Sequence, residues 1–148
     1  MRKVKCYTVR LRHSLQPLQP GANVADQAIL LPDLVGRQAE ADKQLLTLTL
    51  RVPEDLFYFN GHFDAAKILP GVVQIDWAVH FGRQYYALVG EFKKLEVIKF
   101  QQVIVPNNHI DLQLANRPDQ RKLYFAYYLA GQKVSSGRIV FGETKNGI

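Results

Sequence analysis

Residues 71–88 leave this chain the fewest choices. Val72, Val73, Ile75, Ala78, Val79, Phe81, Tyr85 and Tyr86 cover most of a helical circumference in a segment opened by Pro70-Gly71. A helix that is apolar nearly all round belongs in an interior. A chain with one such helix must therefore supply the walls that enclose it. Gly82 sits in the middle of the segment, where glycine costs about 1 kcal/mol relative to alanine; close packing is the expected reason for it.

The flanking sequence offers strands as those walls. Leu45, Leu46, Leu48 and Leu50 mix with Thr47, Thr49 and Arg51 before Pro53 ends the run, a near-alternation that reads as a strand. After Gly90 the period changes to two. Residues 94–105 place Leu95, Val97, Phe100, Val103 and Val105 among polar neighbours, and Pro106-Asn107-Asn108 makes a turn. Residues 109–116 alternate through Ile110, Leu112 and Leu114; residues 123–129 are aromatic and β-prone; Gly131 marks a hairpin; residues 134–141 return. One strand before a buried helix and four after it is an α+β pattern. The short connections predict a mostly antiparallel sheet with the helix across one face.

Residues 13–38 are the least regular, punctuated by Pro17, Pro20, Gly21 and Pro32 around an apolar Ala28-Ile29-Leu30-Leu31 patch. They read as part of an N-terminal arm, residues 1–40, of a single domain spanning 1–148. At this length a chain buries roughly 70% of its unfolded surface, enough for a core without staples. A single cysteine, Cys6, rules out an intrachain disulfide and a Cys-x-x-Cys metal knuckle. No apolar run has the length of a signal peptide or membrane span. The expectation is a soluble, cytoplasmic protein without membrane insertion. Its net charge of +6 suggests an anionic partner, but the aromatics form no nucleic-acid module, so nucleic acid is a poor candidate.

Chemistry concentrates in Gly61-His62-Phe63, then Leu69-Pro70-Gly71-Val72-Val73, then Asp76. The first amides of a helix lack intrahelical acceptors and lie at its positive end, so they suit an oxyanion. Gly71 lets a ligand carbonyl approach its N–H closely. Asp76 lies too deep to cap the helix, between Ile75 and Trp77; burial there raises a carboxyl's pKa unless a partner holds it ionised, which suits it to give up a proton near neutral pH. His62 is the natural base. A histidine beside aromatics is as a rule a packed, hydrogen-bonded residue. Its conjunction with a Pro-Gly helix start and a helix acid favours catalysis.

These residues resemble the signature of the 3-hydroxyacyl-acyl carrier protein dehydratases of fatty acid synthesis. In that family a His-Phe loop is followed nine residues later by the glycine of a Pro-Gly helix start and fourteen residues later by an acid, the spacings of His62, Gly71 and Asp76. Residues 68–78, Ile-Leu-Pro-Gly-Val-Val-Gln-Ile-Asp-Trp-Ala, are especially similar to the divergent dehydratases encoded with aryl polyene lipid clusters.

The resemblance implies a hotdog fold, an antiparallel β-sheet wrapped around one long central helix. It also implies a homodimer in which His62 of one chain faces Asp76 of the other. The substrate would be a 3-hydroxyacyl thioester on the phosphopantetheine of acyl carrier protein, dehydrated to the trans-2-enoyl thioester with no cofactor and no metal. Gly71, Val72, Phe63 and His80 would line the substrate site. Because acyl carrier proteins are acidic, Lys67, Arg83, Lys93, Lys94 and Lys99 are candidates to steer one, though any single surface lysine is more often simply solvated.

Two positions depart from the family pattern. Asp64 stands where proline often follows His-Phe, and His80 where glutamine usually stands four residues after the acid. Asp76 and His80 share a helix face, and a hydrogen bond between them would hold Asp76 ionised and weaken its role as acid. An acyl thioesterase is the alternative reading on the same fold, and a non-enzymatic acyl-binding subunit is a third.

Overall fold

The computed structural model describes residues 28–40, 44–59, 67–88 and 90–143. In chain order the elements are β1 (Asp33–Glu40), β2 (Leu45–Arg51), α1 (Gly71–Tyr86), β3 (Phe92–Phe100), β4 (His109–Arg117), β5 (Lys122–Leu129) and β6 (Gln132–Phe141). Single 3-10 turns occupy Phe57–Phe59 and Pro118–Gln120. Among the described residues the strands form one six-stranded sheet in the order β1-β2-β4-β5-β6-β3, and every pairing is antiparallel.

The period-two pattern sets the sheet's inner face. Leu46, Leu48 and Leu50 of β2, Ile110, Leu112 and Leu114 of β4, and Leu123, Phe125 and Tyr127 of β5 are all buried. Register stacks them into rows. Leu46, Leu114, Phe125 and Gly137 make one row, and Leu48, Leu112, Tyr127 and Ser135 the next. Residues 73–78 of α1, with Phe81 and Gly82, are buried in the same core. The helix is thus the interior element its composition demands, and the layer arrangement is α+β.

Close packing explains Gly82. A Cβ there would lie 2.6 Å from Leu123 Cδ2 and 2.9 Å from Leu88 Cδ1. The helix stops at Tyr86, two residues before the expected end, with Ala87 left-handed at φ 51°. Trp77, fully buried, donates its indole N–H to the Leu30 carbonyl at 3.0 Å, which ties the Ala28–Leu31 patch to the core.

Two expectations need correction. Residues 33–40, read as the end of an irregular arm, form the edge strand β1 on β2. Neither of its faces is buried, so it carries no alternation to read. The strand expected over 94–105 ends at Phe100, because the Gln101 and Gln102 amides turn to the Val134 carbonyl (2.8 and 3.2 Å). Within β3 a bulge between Glu96 and Lys99 places Val97 at φ 53°, an outlier for a β-branched residue. No helix among the described residues is long and apolar enough to cross a membrane.

Candidate active site at the start of the buried helix

The α1 N-terminus is built by its backbone. Pro70 at the N-cap has φ −61° and ψ 146°, and its carbonyl accepts from the Val73 and Gln74 amides at 3.0 and 3.2 Å. Gly71 and Val72, both half-buried, head the helix, where α-helical geometry gives an amide no acceptor of its own. Sixteen residues of helix dipole stand behind them. A Cβ on Gly71 would meet the Phe100 ring at 2.5–2.9 Å, so glycine is what lets that ring lie against the helix start. Exposed apolar residues lie near this end: Ile68 before Leu69, Phe100 against Gly71, and Val103 and Val105 on either side of Ile104, whose carbonyl takes the Leu69 amide.

Asp76 lies about one and a half turns inside the helix and is 4% exposed, between the buried Ile75 and Trp77. Tyr127 lies close to it. Burial first, and the nearby Asp76 second, hold the Tyr127 hydroxyl well above its usual range, so it stays protonated and donates. That hydroxyl donates to the Gln74 carbonyl at 2.6 Å. Sequence reasoning missed Tyr127, Gln74 and Ser135 as members of this neighbourhood. Tyr127 reads as one more apolar position of β5, and Gln74 as an ordinary polar helix residue. Phe100, against Gly71, was likewise read only as a strand residue.

His80 is half-buried, edge-on to Phe81 with ring centroids 5.0 Å apart. Burial lowers its pKa below 6.5, so the imidazole is neutral at pH 7. A dominant ion pair with Asp76 would act in the opposite direction. His62, Phe63 and Asp64 lie outside the described residues. Among the described residues no three His, Cys, Asp or Glu side chains gather to hold a metal.

The five basic candidates fall into two groups. Lys67 precedes the helix start and Lys99 adjoins Phe100, both exposed at the Gly71 end. Arg83 is about 18 Å along the helix axis from Gly71. Its guanidinium donates to the Leu88 and Gly90 carbonyls and lies over the Phe141 ring. Lys93 and Lys94 are at that same far end, since Phe92 pairs with Phe141. Lys94 lies 3.7 Å from Glu96, whose carboxylate is held below its usual range mainly by a hydrogen bond from Lys122.

Comparison with solved structures bears out the architecture. The chain is similar to the dehydratase heterocomplex ApeI:P from Xenorhabdus doucetiae (31% identity over 76% of this chain and 98% of that one, TM-score 0.70). It is similar to an uncharacterized protein from Erwinia carotovora subsp. atroseptica at 35% identity (76% and 96% covered, TM-score 0.69). An uncharacterized Pyrococcus horikoshii protein at 12% identity (88% and 98% covered, TM-score 0.52) shares the fold alone. No curated protein matches the sequence. The family pattern described as ApeI-like, ApeI dehydratase, matches residues 37–138 and so takes in Gly71, Asp76 and every strand from β2 to β5. A hotdog sheet around a buried helix, a glycine at that helix's head and a carboxyl within it are what this match spans, and the chain belongs to the ApeI-like dehydratases.

Proposed function

We propose that this dehydratase acts on 3-hydroxyacyl thioesters carried on the phosphopantetheine of acyl carrier protein and forms the trans-2-enoyl thioester, in fatty acid or aryl polyene-type lipid synthesis. The observation that carries the reading is Asp76, a carboxyl buried inside a helix headed by Gly71. In this mechanism the Gly71 N–H, at the positive end of α1, takes the thioester carbonyl and stabilises the enolate-like charge. His62 removes the C2 proton. Asp76 delivers a proton, directly or through a water it positions, to the departing C3 hydroxyl, so the elements of water leave and a C2–C3 double bond remains. No cofactor enters this scheme. The exposed apolar rim at Ile68, Phe100, Val103 and Val105 suits the passage of an acyl chain.

The proposed assembly is a homodimer, with His62 supplied by the second subunit. Its support is the edge strand β3, which leaves Val97 and Phe100 exposed, a surface that invites pairing. The Xenorhabdus relative is solved as a heterocomplex, which supports assembly with a partner subunit more generally. Lys67 and Lys99 flank the rim where an acidic carrier would dock. A cytoplasmic location belongs to the same reading.

The test is turnover of short-, medium- and long-chain 3-hydroxyacyl carrier proteins, followed by enoyl absorbance. Wild type should form product, and His62→Ala and Asp76→Asn should each lose at least about a hundredfold. Free thiol release without double-bond absorbance would make the protein a thioesterase instead. Light scattering at fixed concentration reads the dimer.

A further inference from the structure

Three buried polar side chains take no part in the mechanism above. Gln74 is 3% exposed, and Ser135 and Tyr127 are fully buried. Taking an amide and two hydroxyls out of water costs several kcal/mol unless each is paired, and their pairing converges on one residue. The Ser135 hydroxyl donates to Gln74 Oε1 at 2.6 Å, and the Tyr127 hydroxyl donates to the Gln74 backbone carbonyl at 2.6 Å. With its oxygen held by Ser135, the carboxamide turns its NH2 toward the Leu69 carbonyl, 3.2 Å away.

The two hydroxyls arrive together because of strand register. Tyr127 and Ser135 are direct partners across β5 and β6, in the row that runs from Leu48 and Leu112 through them to Phe100 of β3. The register shifts just beyond them, where Tyr128 pairs with Lys133 and Val134 becomes the extra residue. Both Val134 and Ser135 are buried there. A bulge re-aims a side chain, and here the displaced Val134 carbonyl also holds the Gln101 and Gln102 amides. That segment leads to Ile104, whose carbonyl accepts the Leu69 N–H at 2.8 Å. Leu69 therefore has its carbonyl held by Gln74, which Ser135 grips from the regular part of β6, and its amide held by Ile104, in the segment that the Val134 carbonyl ties down. Leu69 is followed by Pro70, whose ring fixes φ, and then by Gly71.

We propose that Gln74 is a positioning residue of the active site: clamped by Ser135 and Tyr127, its carboxamide fixes the Leu69–Gly71 turn and so aims the Gly71 amide at the thioester carbonyl. This rests on the dehydratase mechanism above and adds to it the part that sets the oxyanion donor. A donor that strengthens as charge develops acts on kcat, not on ground-state binding, so the clamp's signature is a kcat loss at constant KM. Ser135 acts only through Gln74, so its effect must vanish once Gln74 is gone.

The experiment compares wild type, Ser135→Ala, Gln74→Met and Ser135→Ala/Gln74→Met with the 3-hydroxyacyl thioester that wild type turns over fastest. Ser135→Ala should lower kcat about tenfold with KM within about twofold. The double variant should be no slower than Gln74→Met alone. Amide exchange of the folded proteins gives a second readout: the Leu69 amide should exchange faster in Gln74→Met, and to a smaller degree in Ser135→Ala. Additive losses, a change confined to KM, or unaltered Leu69 exchange would each overturn the clamp. Ser135→Ala removes one hydroxyl and carries the test if Gln74→Met does not fold. If wild type dehydrates no thioester, the dehydratase reading fails by itself, and Leu69 exchange still decides whether Gln74 holds the turn.

Discussion

Replacing Gly71 with alanine tests how the helix head is packed. The new methyl would stand 2.5 Å from Phe100 Cζ, 2.8 Å from Cε2 and 2.9 Å from Cε1. Carbon atoms are comfortable at about 3.5–4.0 Å, so the ring must retreat by about 1 Å. Phe100 is 49% exposed at the end of β3, so it can swing away, at the loss of the packing it now makes. Full burial of a phenylalanine is worth up to about 3 kcal/mol, so a half-buried ring puts about 1–1.5 kcal/mol at stake. Alanine returns at most about 1 kcal/mol of helix propensity, and less at a first position. Gly71→Ala should therefore destabilise by about 1 kcal/mol.

In a Phe100→Ala background the clash is gone, and the same substitution should be neutral or mildly stabilising. The coupling between the two sites is thus about 1–2 kcal/mol, within the range for residues in contact. Urea denaturation of all four proteins of the cycle, at one protein concentration because assembly shifts midpoints, measures it directly. Equal costs of Gly71→Ala in both backgrounds would refute the packing argument. Turnover adds a second reading. Gly71→Ala keeps the amide but forces the ring aside at the helix head, so activity should drop and then partly recover in the double variant.

Further predictions follow from single positions. Gly82→Ala drives a methyl into Leu123, which is fully buried, and into Leu88. Overpacking of about 1–3 kcal/mol exceeds the propensity gain, so the denaturation midpoint should fall, and a rise would contradict the packing. His80 titrates below 6.5 in the fold because burial disfavours its charged form. Below about pH 6.5 the unfolded chain then binds more protons than the folded one, so this contribution is present above that pH and lost as pH falls. His80→Gln should flatten the decline of stability between pH 7 and 5, and parallel wild-type and variant curves would refute it.

How much of this was legible in the sequence depends on which residues are buried on one face only. Strands β2, β4 and β5 bury alternate residues and leave the others toward solvent, so Leu46-Leu48-Leu50 and Ile110-Leu112-Leu114 announce themselves. Strand β1 buries neither face, and its Gly36-Arg37-Gln38 stretch looks like loop. Val103 and Val105 continue the β3 alternation in sequence, yet both are exposed; their spacing reflects a rim, not a core face. Asp76 was legible because Ile75 and Trp77 flank it within a helix that is apolar all round. Gln74 shares those surroundings but was passed over, since an amide on a helix is ordinarily solvated. Ser135 falls in phase with Gly137, Ile139 and Phe141, so alternation places it on the inner face; what the sequence does not show is that its hydroxyl meets Gln74 there.

The same interior placement that makes α1 easy to recognise constrains its chemistry. The helix buries residues 73–78 in its own core, so Asp76 lies inside, about one and a half turns from the Gly71 end near which Ile68, Phe100, Val103 and Val105 are exposed. Large apolar side chains gathered at such a mouth lose nothing if an acyl chain or a second subunit covers them, and covering them removes water from the carboxyl beneath. Dehydration benefits from that exclusion, since a proton given to a departing hydroxyl is worth more where water does not compete. Gln74 and Asp76 on the helix lie near Tyr127 and Ser135, in a row that also holds the buried Leu48 and Leu112 and, beyond Ser135, Phe100. The apolar rows thus pack against the helix, and the two hydroxyls of this one hold Gln74.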